Sequence, residues 1–121
     1  MPSGLVSISA VTFLVADMEA SVGFYSSLGF ELLFGGAETA FSSFAVGPGY
    51  LNLQADEGTP AEARLWGRVV IWVGDVDDMY RSALQAGWRT ETEPADAPWG
   101  ERYFHMRDPD GNELSFARPI A

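Results

Sequence analysis

The stretches VADMEASVGFYSSLGF, residues 15–30, and VGDVDDMYRSALQAGW, residues 73–88, align without a gap, 58 residues apart. Asp17 matches Asp75, and Gly29 matches Gly87. An Asp before a helical pattern is typical of an N-cap, because its side chain accepts hydrogen bonds from free N–H groups of the first turn. A glycine at the far end is typical of the left-handed residue that ends a helix. The alignment therefore predicts the same structural unit twice.

Apolar, β-branched runs precede both predicted helices and indicate strands. Three more extended segments follow each helix, and the last two in each half are separated by a turn, GPG in the first and DPDG in the second. In chain order, the predicted strands are AVTFLV (10–15), FELLFG (30–35), TAFSSFAV (39–46) and YLNLQAD (50–56), then RVVIWV (68–73), WRTETE (88–93), ERYFHMR (101–107) and ELSFARP (113–119).

The predicted fold class is therefore α+β, with two βαβββ modules at about residues 5–56 and 66–118. A linker is expected at about residues 57–65, where proline and charged residues show no clear periodicity. Neither half alone buries enough surface to be stable, so we expect residues 1–121 to form one domain.

Composition excludes several kinds of chemistry. The chain has no cysteine, and all seven of its basic residues are arginine, so disulfides, thiolate ligands, a cysteine nucleophile and a lysine Schiff base are excluded. A net charge of −10 repels phosphate backbones and attracts cations, so nucleic acid is not an expected partner. Acidity also simply favours solubility. The N-terminal stretch lacks a basic segment, and Asp17 interrupts its apolar run. It therefore predicts a strand, neither a signal peptide nor a membrane span, and a cytoplasmic protein is expected.

Alternation along the strands divides their side chains into two sets. One set is apolar and would pack against the helices; it contains Leu51, Leu53, Phe104, Met106, Leu114 and Phe116. The other set mixes polar and apolar groups, which suits the wall of a ligand cavity, although the same residues could instead face water. This second set contains Ala10, Thr12, Leu14, Tyr50, Asn52, Gln54, Arg68, Val70, Trp72, Tyr103, His105, Arg107, Glu113, Ser115 and Ala117.

The repeated plan, the pattern VxDxxxSxxFYxxLGF and the segment PWGERYFHMRDPDGNELSF, residues 98–116, resemble the vicinal oxygen chelate superfamily. That superfamily includes glyoxalase I, extradiol dioxygenases, fosfomycin-thiol transferases and bleomycin resistance proteins. The resemblance spans about residues 5–118. It implies concave, partly closed mixed sheets with helices outside, but it does not discriminate among the functions of the superfamily.

The resemblance also identifies the positions at which metal-using members carry His or Glu. Here those positions hold Ala10, Asn52, Arg68 and Ser115. Ala has no donor atom, Arg is a permanent cation, and Asn and Ser are weak neutral ligands, whereas a divalent metal of this kind takes His nitrogen or carboxylate oxygen. We therefore expect neither a metal nor another cofactor.

His105 is the only histidine, and fosfomycin-modifying relatives are expected to carry a substrate-facing tyrosine at that position. We interpret His105 as a hydrogen-bonding group in the cavity wall, with an ordinary pKa near ~6.5 and no identifiable carboxylate partner. The Asp residues of DPDG are explained by the turn alone. Trp66, Trp72 and Trp99 are expected near the cavity mouth, with core packing as the alternative for each.

The sequence looks closest to the bleomycin-resistance-like branch, whose members are acidic homodimers that sequester a cationic, planar-ringed antibiotic between subunits. The resemblance thus implies a metal-independent homodimer that binds a small aromatic ligand. The predicted ligand-binding residues are Asn52, Arg68, Trp72, Trp99, Tyr103, His105 and Ser115.

Two questions stay open at this stage. Arg68 could pair with Glu113, or it could bind an anionic group of the ligand. The chain could also be a cofactorless isomerase or lyase with His105 as its base and Arg68 as its anion stabiliser, and these two are the candidate catalytic residues.

Overall fold

The computed structural model describes residues 8–58 and 68–120. Most of the predicted linker, residues 57–65, and the predicted cavity residue Trp66 lie outside these ranges. In chain order the elements are β1 (Ala10–Val15), α1 (Met18–Ser27), β2 (Glu31–Phe34), β3 (Phe41–Val46), β4 (Gly49–Ala55), β5 (Arg68–Trp72), α2 (Val76–Gln85), β6 (Ala95–Asp96), β7 (Glu101–Arg107) and β8 (Glu113–Pro119).

The strands form two four-stranded mixed sheets, in the orders β1-β4-β3-β2 and β5-β8-β7-β6. In each sheet the first strand pairs parallel with the last strand of its module, and the remaining pairs are antiparallel. The two sheets therefore have the same topology, as the repeat predicted, and the α+β fold class is confirmed.

Both helices begin and end where the repeat predicted. The Asp17 side chain accepts a hydrogen bond from the backbone N–H of Ala20, and Asp75 accepts one from Asp78. Gly29 and Gly87 have φ angles of +93° and +91°, a conformation in which a residue with a Cβ is strained. These four residues set the helix boundaries by local chemistry alone. No helix in the described part of the chain is long and apolar enough to cross a membrane.

One hydrophobic core joins the two modules. It contains the apolar set of strand residues, all of which are 2% exposed or less. Phe30, which follows α1, contacts Phe44 of the first sheet and Phe116 of the second through ring edges. Trp88 packs against Phe24 of α1 through its ring edge. The mixed set of strand residues consequently lies on the faces of the sheets that point away from this core.

The prediction of a strand at residues 88–93 is wrong. In that segment only Thr90 forms a bridge, opposite Met106, and the short strand β6 begins at Ala95. The backbone N–H of Glu91 donates to the carbonyl oxygen of His105, so the segment is still anchored to β7. The residue types at 88–93 favour an extended chain, but regular hydrogen-bonded pairing with β7 begins only at Ala95.

The DPDG turn has a role that its sequence did not reveal. Asp108 is 5% exposed and accepts a hydrogen bond at 2.8 Å from the hydroxyl of Tyr25, on α1 of the other module. Asp110 accepts one from the backbone N–H of Ala16 at 2.8 Å and another from the hydroxyl of Ser21 at 3.3 Å. The two Asp residues thus attach the turn of the second module to the helix of the first.

Candidate functional site

Most of the predicted ligand-binding residues lie on the second sheet, on the face away from the core. The strand register sets them in rows that run across β5, β8 and β7. The rows are Arg68–Glu113–Arg107, Val70–Ser115–His105 and Trp72–Ala117–Tyr103. We call this surface the second-sheet face, and it also carries Glu101, at the start of β7.

His105 lies at the centre of this face. Its Nδ1 is 2.6 Å from the hydroxyl oxygen of Ser115, and its backbone N–H donates to Thr92 at 3.0 Å. Burial lowers the pKa of His105, and the positive charge of Arg68 lowers it further. The expectation of an ordinary pKa is therefore wrong, since both effects favour the neutral imidazole. Sequence reasoning had found no partner for this ring, because Ser115 meets it only through the pairing of β7 with β8.

The charged row, together with Glu91, forms a continuous series of ion pairs. Arg68 lies 2.9 Å from Glu113, and Arg107 contacts Glu113 at 2.9 Å and Glu91 at 2.8 Å. The positive and negative charges alternate, so the cations of this row are already balanced. Of the two roles left open for Arg68, the structure shows pairing with Glu113.

The other end of the face is aromatic. Trp72 and Trp99 are 68% and 72% exposed, and Trp99 stacks beside Tyr103 with their planes at 23°. Both indole N–H groups donate to the carboxylate of Glu101. Core packing is therefore excluded for Trp72 and Trp99. Sequence reasoning missed Glu101, although it belongs to the same alternating set as Tyr103 and His105.

Asn52 lies on the other sheet. Its side chain accepts from the hydroxyl of Ser43 at 2.7 Å and donates to Thr12 at 3.3 Å. In the described part of the chain it has no contact with Arg68 or His105, although all three were expected to reach one interior. One copy of the chain therefore presents two separate polar faces, one on each sheet.

An apolar groove of about 420 Å³ lies between β1 and β5, the edge strands of the two sheets. Its walls include Ala10, Tyr50, Val70 and Trp72. Of the predicted ligand-binding residues only Trp72 lines this groove, and Trp72 also ends the aromatic row of the second-sheet face. The groove and the polar residues are therefore neighbouring parts of one surface.

The four positions of the expected metal pattern do not fit a divalent ion. Arg68 is a cation paired with Glu113, and Ser115 is held by His105. Asn52 is held by two hydroxyl groups, and Ala10 has no donor atom. Among residues 8–58 and 68–120, no three or more His, Cys, Asp or Glu side chains stand close enough to hold a metal ion. These side chains offer no ligand set for metal-dependent chemistry.

Comparison with known proteins agrees with this fold. Residues 7–116 match the family model of the Glyoxalase/Bleomycin resistance protein/Dioxygenase superfamily. A bleomycin resistance determinant encoded on transposon Tn5 is similar in structure with a TM-score of 0.78 and 21% identity, covering 96% of this chain and all of the other. TioX from Micromonospora sp. ML1 has a TM-score of 0.76 and 25% identity, covering 94% of this chain and 99% of its own.

A bleomycin-binding protein, solved in complex with bleomycin, has a TM-score of 0.73 and 22% identity, covering 94% of this chain and 98% of its own. No curated protein matches the chain.

Proposed function

Because the chain belongs to the Glyoxalase/Bleomycin resistance protein/Dioxygenase superfamily, we propose that it binds a small aromatic, natural-product-like ligand without a metal and thereby sequesters an antibiotic. The observation that carries this proposal is the second-sheet face, where two exposed tryptophans and Tyr103 form an aromatic end and Tyr103 contacts His105. Aromatic side chains stack on planar rings, and a few placed polar groups orient the ligand. The bleomycin complex of a structural neighbour is consistent with this use of the fold.

The proposed ligand-binding residues are those of the sequence prediction. Trp72 and Tyr103 of the second sheet, with Trp99 of the turn before β7, would stack on the ligand, while His105 and Ser115 would act as one hydrogen-bonding pair. Arg68 would fix the position of Glu113 and would contact the ligand only at the rim. The remaining residue, Asn52, lies on the first sheet and needs a second copy of the chain to reach the same ligand.

A homodimer is therefore part of the proposal. The edge strand β2 exposes Leu33 and Phe34 at 51% and 62%, beside a first-sheet face that carries Asn52. Exposed apolar side chains grouped in this way are typical of an interface. If the first-sheet face of one copy covers the second-sheet face of another, the ligand is enclosed and the aromatic residues of both are shielded from water.

Tryptophan fluorescence tests the binding proposal. Bleomycin and a panel of planar aromatic natural products are titrated into the wild type, into Trp72→Ala and into the control Trp88→Phe. We expect quenching in the wild type and in the control, with about tenfold weaker binding in Trp72→Ala, since stacking is worth roughly 0.5–1.5 kcal/mol beyond the buried area. Ligands that bind all three proteins equally would show that the second-sheet face is not the site.

The dimer is tested by light scattering at micromolar concentration. We expect a particle of twice the 13.1 kDa chain mass, which Phe34→Glu converts to the monomer without a loss of helical circular dichroism. A wild-type monomer across the micromolar range would contradict the shared cavity.

A second candidate is the cofactorless isomerase or lyase. His105 favours it, because its ring is oriented by Ser115 and its lowered pKa favours the unprotonated form, which can accept a proton. Mass spectrometry of the ligand after incubation distinguishes the two candidates. A sequestering protein returns the ligand unchanged, whereas an enzyme returns a product that His105→Ala fails to form.

A further inference from the structure

Ser115 is the buried neighbour of the His105 ring. It is 1% exposed, and its hydroxyl oxygen lies 2.6 Å from Nδ1 of His105. The strand register sets the two residues directly opposite each other, on β8 and β7. Within residues 8–58 and 68–120 the hydroxyl of Ser115 forms no second hydrogen bond, and buried polar groups in proteins are almost always hydrogen-bonded. The contact with His105 is therefore the one that satisfies it.

The positions of the hydrogens decide which group donates across this contact. A hydroxyl has one hydrogen to donate, whereas each nitrogen of a neutral imidazole either donates or accepts. If Ser115 donates to Nδ1, both groups are satisfied, and the ring hydrogen of His105 lies on Nε2. If Nδ1–H donates instead, the hydroxyl hydrogen of Ser115 is buried without an acceptor, which disfavours that tautomer by about fivefold or more.

The other ring nitrogen of His105 is left for a ligand. Burial, and then the positive charge of Arg68, lower the pKa of His105 and so favour the neutral ring, the form that has two tautomers. Nε2 forms no hydrogen bond with the described residues, and the ring is only half-buried. The hydrogen bond at one ring nitrogen determines whether the other carries the proton, so the contact with Ser115 makes Nε2 a donor.

We propose that Ser115 holds His105 as the Nε2–H tautomer, and that the second-sheet face thereby selects ligands that carry a carbonyl oxygen beside an aromatic ring. This inference rests on the proposed binding function and adds to it the chemical group that the centre of the face recognises. The carbonyl oxygen accepts from Nε2–H, while the ligand ring contacts Tyr103, whose ring centre is 4.9 Å from that of His105. A ligand that offers only an N–H at this position sets two donors against each other.

The same tautomer decides between the two roles considered for His105. The lone pair that could take a proton lies on Nδ1, where it already accepts from Ser115. A general base must have a free lone pair within reach of the proton that it removes. Donation from Nε2 to a bound ligand is therefore favoured over proton abstraction.

The tautomer is measured directly by NMR. His105 is the only histidine, so the nitrogen-15 chemical shifts of its two ring nitrogens are unambiguous. Spectra of labelled protein are recorded at pH about 8, where the ring is neutral, for the wild type, Ser115→Ala and Thr92→Val. Thr92 is the matched control, because its hydroxyl accepts from the backbone N–H of His105 and not from the ring.

We expect the ratio of Nε2–H to Nδ1–H to be at least about fivefold higher in the wild type than in Ser115→Ala, since only the wild type has the buried donor. Thr92→Val should have the wild-type ratio. A wild type that carries its hydrogen on Nδ1, or a ratio that Ser115→Ala leaves unchanged, would overturn the inference.

The ligand preference is tested with three bicyclic probes of similar size. 1-Indanone carries a carbonyl acceptor, indole carries only an N–H donor, and indane carries neither. Their dissociation constants are measured by NMR titration for the wild type and His105→Phe. We expect the affinity of 1-indanone relative to indane to be about threefold or more higher in the wild type than in His105→Phe, as one hydrogen bond allows. The affinity of indole relative to indane should show no such gain. Differences in hydrophobicity among the probes cancel in these ratios.

The results also separate this inference from the proposed function. An unchanged 1-indanone ratio in His105→Phe would reject the donor, and weaker binding of all three probes by Trp72→Ala would then show that the aromatic site remains. Failure of the three probes and of the whole natural-product panel to bind would reject the inference and the proposed function together.

Discussion

Replacing Tyr25 by Phe tests how the two modules are held together. The hydroxyl of Tyr25 is buried and donates at 2.8 Å to Asp108, whose carboxylate also accepts from Asn112 and from the backbone N–H of Asp110. A hydrogen bond to a charged group is worth about 1.5–3 kcal/mol, and the substitution changes no other atom of the ring. We expect Tyr25→Phe to lower the free energy of unfolding by that amount, which for a chain of this size is about 5–15 °C in the thermal midpoint.

The same substitution has a predictable pH dependence. Burial raises the pKa of Asp108, and its hydrogen bonds, including the one from Tyr25, oppose that rise. The Tyr25 hydroxyl thus favours the ionised carboxylate. Its contribution to stability is therefore fully present above the raised pKa of Asp108 and decreases as pH falls through it.

Urea denaturation of the wild type and Tyr25→Phe at pH 7 and pH 4 measures both effects. The control is Tyr80→Phe, because Tyr80 is half-buried against Phe104 and makes no hydrogen bond through its hydroxyl in the described structure. We expect the control to change stability by less than about 0.5 kcal/mol. Equal losses for the two variants, or a loss for Tyr25→Phe that is the same at both pH values, would refute this account of the contact.

Three further outcomes are expected. Since His105 is the only histidine, its NMR titration is unambiguous, and Arg68→Ala should raise its pKa because Arg68 holds it down; an unchanged or lower value would contradict the electrostatic cause. Thermal unfolding should show that Gly35→Ala destabilises the protein by at least about 1 kcal/mol, because φ is +83° and a Cβ would overlap a carbonyl oxygen of β3. The same measurement should show that Gly23→Ala, on the open face of α1, stabilises the protein by about 0.5–1 kcal/mol. Burial and Asp108 raise the pKa of Tyr25, so the stability it contributes is complete below pH about 10 and decreases as pH rises further. The difference in the free energy of unfolding between the wild type and Tyr25→Phe, measured by urea denaturation, should therefore become smaller above pH about 10; a constant difference would contradict this.

The elements that sequence predicted well are those specified by short-range chemistry. The caps at Asp17 and Asp75 and the left-handed glycines each act within one turn of a helix, so their roles can be deduced from neighbouring residues. The attachment of the DPDG turn to α1 could not be predicted in this way, because Asp108 and Tyr25 are 83 residues apart and meet only after both modules have packed. The missing strand at residues 88–93 has the same origin, since its pairing depends on the position of β7.

In the candidate site too, the sequence predicted which face of a strand a residue occupies, but not the hydrogen bonds between side chains. Strand alternation placed Trp72, Tyr103, His105 and Ser115 on one face correctly, since the period of two is a property of any strand. It could not show that Glu101 joins Trp72 to Trp99, because a hydrogen bond depends on side-chain directions that periodicity does not contain.

A comparison of β1 with β5 shows where the two halves of the chain differ. At the positions that face the core, Val11, Phe13 and Val15 correspond to Val69, Ile71 and Val73, and apolar character is kept in every case. At the alternate positions Ala10, Thr12 and Leu14 correspond to Arg68, Val70 and Trp72, and neither size nor charge is kept. A requirement for folding would act on both copies alike, because both sheets pack into the same core. The faces that point away from it are free of that requirement, so a ligand that contacts the two sheets meets two different surfaces, one of hydroxyl and amide groups and one of aromatic rings and charges.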